Sequence, residues 1–148
     1  MESSDQPARV LVVANRTAAT PGLLAAVRDR AERGPAQFTL LVPNPVSGFE
    51  RIADPEDHGE SEAQGTLELA LPLLEEAAGS EVTGMIGAPE PLDAIHDAVN
   101  LHGFDEIILS TLPTRVSRWL HLDLPAKLNG LGLPVTTIVA RERATATT

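Results

Sequence analysis

Val10-Leu11-Val12-Val13-Ala14, closed by the polar Asn15-Arg16-Thr17, is the stretch on which the architecture turns. Its apolar residues are consecutive and β-branched, without the alternation of a strand that has one wet face. Such a run reads as a strand buried on both sides, the kind found in parallel sheets covered by helices on both faces.

The same grammar repeats outward from this strand. After a loop carrying Pro21 and Gly22, residues 23–33 place Leu23, Leu24, Val27 and Ala31 on one stripe, an amphipathic helix stopped by Gly34-Pro35. Phe38-Thr39-Leu40-Leu41-Val42 reads as a second strand, and residues 43–62, rich in Pro, Gly and charge, read as a long surface loop. Helical spacing returns over residues 66–78 through Leu67, Ala70, Leu71 and Leu74, with a kink expected at Pro72. A weaker third strand covers residues 81–86. Gly87-Ala88-Pro89 leads from it into a helix whose buried stripe is Leu92, Ile95, Ala98 and Val99, with Asp93 in its first turn. Ile107-Ile108-Leu109 is a fourth strand, residues 126–128 a short helical piece, and residues 135–140 a fifth strand. Alternating strand and helix with every strand apolar implies parallel pairing through crossover helices. The fold class is therefore α/β: an open, doubly wound, mostly parallel five-stranded sheet with helices on both faces.

Length and composition set the outer limits. A chain of 148 residues and 15.7 kDa is one domain, residues 1–148, with a core of about 9–140 and flexible tails at 1–8 and 141–148. Twenty-one acidic residues against eleven basic ones give a formal charge of −10, a field that repels nucleic-acid backbones and anionic lipid heads. The absence of cysteine excludes disulfides, Cys-ligated metals and thiol nucleophiles. No secretory signal pattern and no spanning apolar run are present, so a cytoplasmic protein without membrane or nucleic-acid partners is expected.

In an open parallel sheet, ligands bind beyond the carboxyl ends of the strands where the winding reverses. The first strand runs out at Asn15 and Thr17, and the second ends at Val42. The fourth runs into Ser110-Thr111-Leu112-Pro113-Thr114-Arg115, with Ser117, Arg118 and His121 close behind. Arg115 and Arg118 are conspicuous in an acidic chain; beside hydroxyls they suit a phosphate or carboxylate, and their plainer reading is two solvated cations. Asn15, Thr17, Val42, Ser110, Thr111, Arg115, Ser117, Arg118 and His121 form the candidate ligand-binding set. Asp54, Asp57, His58 and Glu60 fit neither a calcium-loop nor a zinc spacing, so no metal is assigned. His96 and His102 read as surface or helix-end side chains. Neither a phosphate-loop motif nor a nucleophile elbow occurs, and no catalytic residue is assigned.

These residues resemble the universal stress protein family. Asn15-x-Thr17 is similar to the Asp-x-Ser exit of that family's first strand. Asp105-Glu106-Ile107-Ile108-Leu109 resembles the segment preceding its glycine loop, G-x2-G-x9-G-[ST], whose positions fall here on Ser110, Pro113, Asp123 and Leu124. Gly87-Ala88-Pro89, Lys127 and Pro134-Val135 match further family positions, and the likeness covers residues 9–140. The resemblance implies a divergent member lacking the glycine-rich ATP-binding motif, because Pro113 has no N–H to offer a phosphate and Asp123 sets a carboxylate beside it.

The expectation is a homodimeric small-ligand binding or regulatory module. It would hold a nucleotide or other small anion between the first- and fourth-strand loops, with an adenine nucleotide as the possible cofactor. The alternative is a ligand-independent interaction protein that has lost ATP binding. The dimer is expected through the last strand, bounded by Pro134 and Ala140, an apolar edge that needs covering.

Overall fold

The computed structural model of the chain describes residues 7–14, 20–43, 58–88, 90–111 and 124–139. Strands β1 (Ala8–Val13), β2 (Ala36–Pro43), β3 (Val82–Gly87), β4 (Glu106–Thr111) and β5 (Val135–Val139) alternate with helices α1 (Pro21–Glu32), α2 (His58–Ala78), α3 (Pro91–His102) and α4 (Leu124–Asn129). The strands form one sheet in the order β3-β2-β1-β4-β5. Every neighbouring pair is parallel.

The consecutive apolar residues of β1 divide between two cores because successive side chains of a strand point to opposite faces. Val10 and Val12 pack with Leu23 and Val27 of α1 and with Leu67, Ala70 and Leu74 of α2. Leu11 and Val13 pack with Ala94, Ile95 and Ala98 of α3 and Leu128 of α4. The crossovers from β1 to β2 to β3 thus use one face, and those from β3 to β4 to β5 use the other. Each fully buried Leu or Val contributes about 1.5–3 kcal/mol of hydrophobic stabilisation, so the central strand is an energetic keel for both layers.

Several local expectations shift. Pro21 and Gly22 belong to the first turn of α1 rather than to a loop. Thr20, with φ −77° and ψ 152°, is the N-cap, and Pro at N1 gives up an N–H that has no partner in a helix. Residues 58–62, read as loop, begin α2: Glu60 and Glu62 near the N-terminus suit the helix dipole, and the segment has no apolar period to announce it. Helix α2 runs on through Pro72. The buried stripe of α3 is Pro91, Ala94, Ile95 and Ala98, with Leu92 and Val99 only partly covered. Small Ala94 lies at the centre of the contact because the strand beneath is close.

Glycines end two of the helices. Gly79 (φ 75°) and Gly103 (φ 74°) occupy positive-φ conformations that cost an L side chain about 1–2 kcal/mol. Their N–H groups donate to Glu75 O (2.8 Å) and Val99 O (2.9 Å). Arg30, near the end of α1, grips the start of β4: Nε lies 3.0 Å from both carboxylate oxygens of Glu106, and Nη2 2.9 Å from Oε2. The fork geometry and partial burial put this pair at the upper end of surface ion pairs, about 1 kcal/mol. No helix among the described residues is long and apolar enough to cross a membrane.

Candidate functional site at the carboxyl ends of β1 and β4

The reversal of winding falls between β1 and β4. The chain leaves β1 toward α1 on one face, and leaves β4 toward α4 on the other. Two neighbouring strands whose connections depart in opposite directions leave a crevice between their carboxyl ends. The order β3-β2-β1-β4-β5 puts that crevice beyond Val13 and Thr111. Ala14 carries the strand one residue further, its N–H donating to Leu41 O at 3.2 Å.

Two hydroxyl residues end β4. Ser110 and Thr111 lie inside the strand rather than in the loop after it, in register with Ile138 and Val139 of β5. They are 0% and 3% exposed. The sequence reading placed them after the strand because it took the apolar run Ile107-Ile108-Leu109 as the whole element. Parallel pairing with β5 extends the strand regardless of side-chain polarity, since the ladder is made by the backbone. Strand alternation sets Ser110 on the face of Ile108, the side covered by α1.

The first turn of α1 closes that side. A side-chain carbon on Gly22 would stand 3.6 Å from Ile138 Cγ2, so the turn rests on β5 one strand away from Ser110. A helix N-terminus presents unpaired N–H groups and about half a positive charge, which favours an anion at this position. The sequence reading passed over this element; Thr20-Pro21-Gly22, with proline at N1, is the signal that could have found it.

Of the predicted set, Val42, Ser110 and Thr111 fall within the described residues. Val42 is 1% exposed and part of the α1–α2 core, so its side chain is packing material at the end of β2. Asn15, Thr17, Arg115, Ser117, Arg118 and His121 lie outside the described residues, as do the motif positions Pro113 and Asp123. Asp54, Asp57 and the side chains of His58 and Glu60 lie outside them too. His96 and His102 are exposed on α3, as their positions implied.

No family profile matches the chain. No curated protein matches it either. Solved structures do. A universal stress protein from Archaeoglobus fulgidus superposes with a TM-score of 0.63 at 19% identity, covering 88% of this chain and 93% of that one. The universal stress protein from Archaeoglobus fulgidus in complex with dAMP gives 0.59 at 18% identity over 90% and 98% of the two chains. A universal stress protein family protein from Arabidopsis thaliana with AMP bound gives 0.62 at 18% identity over 95% and 97%. Together with the strand order and the two-faced winding, these likenesses show that the chain has the universal stress protein fold.

Proposed function

We propose that the chain is a divergent universal-stress-protein-like module binding an adenine nucleotide, or another small anion, in the crevice between the ends of β1 and β4. The observation that carries this reading is the burial of Ser110 and Thr111 at the end of β4, beside the winding reversal, with the first turn of α1 resting on neighbouring β5. It is supported by two proteins of the same fold that hold dAMP and AMP. In this reading Asn15 faces the base or sugar, and Thr17 and the end of β2 at Val42 complete the lining. Ser110, Thr111, Arg115, Ser117 and Arg118 hold the anionic end, with His121 beside them. Ser110, Pro113, Asp123 and Leu124 stand where the family has its glycines and hydroxyl. The anion is therefore gripped by guanidinium side chains instead of a backbone cradle.

Thermal unfolding with millimolar AMP or ATP, with and without Mg²⁺, tests it. A ligand at about 100 times its Kd adds roughly 2.7 kcal/mol to the native state. For a domain of this size that is a rise in Tm of about 5–10 °C. The rise should vanish in the double variant Arg115→Ala/Arg118→Ala. An unshifted Tm with every nucleotide would sink the nucleotide reading.

A second reading, a ligand-independent homodimer working through its surface, is favoured by the edge of the sheet. β5 is the last strand in the order, and its Val139 is 46% exposed. An unpaired apolar edge invites pairing with a second copy. Light scattering at micromolar concentration should return twice the 15.7 kDa chain mass. A monomer mass removes the dimer from both readings, whereas a dimer indifferent to nucleotides leaves the interaction protein.

A further inference from the structure

At the other end of the sheet, far from the winding reversal, the amino-terminal halves of β1, β2 and β3 floor a cavity of about 460 Å³. It exists because α3 covers the sheet unevenly. Its first turns sit tightly on the carboxyl end of β3, where Ala94 meets Gly87. Its last turn reaches His102 at the rim, and Phe104 then tucks in before β4. His102 and Phe104 become one wall, and the strand surface beside them stays open.

The floor is graded from apolar to charged in register. Its apolar margin is Met85, in register with Leu41 and Val13, which are sealed in the core beyond the cavity. The next row toward the amino end brings Thr39 of β2 beside Thr83 of β3. The row beyond pairs Arg9 with Gln37, and the β2–β3 register extended by one position sets Glu81 on the far side of Gln37. Alternation keeps all of these on the face of Leu11 and Leu41. Two polar rows on strands that are apolar elsewhere make sense only where that face is not sealed, because a buried hydroxyl or amide without a partner is costly.

The outermost row holds a cation and a carboxylate on backbones two strand spacings, about 10 Å, apart, with an amide between them that can both donate and accept. Arg9 is well anchored. Its N–H donates to Asp105 Oδ2 at 2.8 Å, its carbonyl accepts from Asp105 N at 2.7 Å, and its guanidinium carbon lies 5.5 Å from the Phe104 ring centre. A cleft lined by both a guanidinium and a carboxylate suits a guest that itself carries both charges. We propose that this cleft binds a small zwitterion of dipeptide size, its carboxylate on Arg9, its ammonium on Glu81, and its peptide group against Gln37, Thr39 and Thr83. The site is independent of the nucleotide reading and lies at the opposite end of the strands.

The test is an amide NMR titration of the full chain with alanyl-alanine, N-acetyl-alanyl-alanine and alanyl-alanine amide, all at millimolar concentration. The free dipeptide should give saturable shifts at Gln37, Thr39 and Thr83 and leave Ala14 and Thr111 unmoved. Each capped form, and each of the variants Arg9→Gln and Glu81→Gln, should bind about tenfold more weakly, the worth of one lost charge contact. Glu81 is exposed and its replacement leaves the core intact, so that variant reads binding even where Arg9→Gln unsettles Phe104. Shifts absent from the floor, equal binding of all three probes, or an unaltered affinity in Glu81→Gln would each overturn the proposal.

Discussion

Replacing Leu11 with alanine is expected to lower the unfolding free energy by about 3 kcal/mol, within the 2–5 kcal/mol typical of buried Leu→Ala changes. Leu11 is 0% exposed, lies on the central strand, and packs against α3. The sheet on either side of β1 holds the backbone in place, so the cavity left by three lost carbons cannot collapse and the full cost is felt. A domain of this kind has only about 5–15 kcal/mol to lose. Urea unfolding, read by circular dichroism, measures the change. Leu69, 68% exposed on α2, serves as the control: its alanine variant should lie within about 0.5 kcal/mol of the parent. Similar midpoints for the two variants would mean that the β1–α3 layer is not the core described above.

The second large effect is expected at Gly87. A Cβ there would lie 2.7 Å from Ala94 Cβ and 2.9 Å from Leu41 Cδ1. Ala94 Cβ is fixed to the α3 backbone and has no rotamer to move into, so the helix itself must lift. Gly87→Ala should therefore cost about 2–3 kcal/mol, the upper part of the range for overpacked cores. Gly84 looks equally crowded, with Leu67 Cδ2 at 2.9 Å and Leu71 Cδ1 at 3.0 Å, but both neighbours are the far ends of flexible side chains. Gly84→Ala should cost no more than about 1 kcal/mol, because a rotamer change relieves the contact. Parallel denaturation curves of the two variants decide it, and equal losses would show that the α3 contact is no stiffer than the α2 contact.

What was legible in the sequence follows from which force dominates each element. The inner strands β1, β2 and β4 were visible because a strand covered on both faces carries a nearly unbroken apolar run that nothing else explains, whereas the edge strands β3 and β5 are only partly buried. The helix stops at Gly34-Pro35 and Gly79 were visible because backbone geometry there demands particular residue types, while the stop at Gly103 was not read. The start of α2 was not, since a charged first turn follows the helix dipole and carries no apolar period. Ser110 and Thr111 were picked out as candidate ligands from their polarity, but their place inside β4 depends on β5.

Thr39 shows the limit from the other side. In the run Phe38-Thr39-Leu40-Leu41-Val42 it reads as a tolerated polar residue in a buried strand, and only the pairing with Thr83 and the partial cover of α3 make it part of a cavity floor.

The sequence by itself determined the fold class, the division of β1 between two cores and the end of the sheet to search for a nucleotide, because apolar periodicity and backbone-restricted residues act over a few neighbours. Only the tertiary structure decided the strand order, the approach of α1's first turn to β5, and the open amino-terminal cleft. Those depend on which distant segments meet, and on how far a helix reaches along a strand, quantities that no local stretch of residues encodes alone.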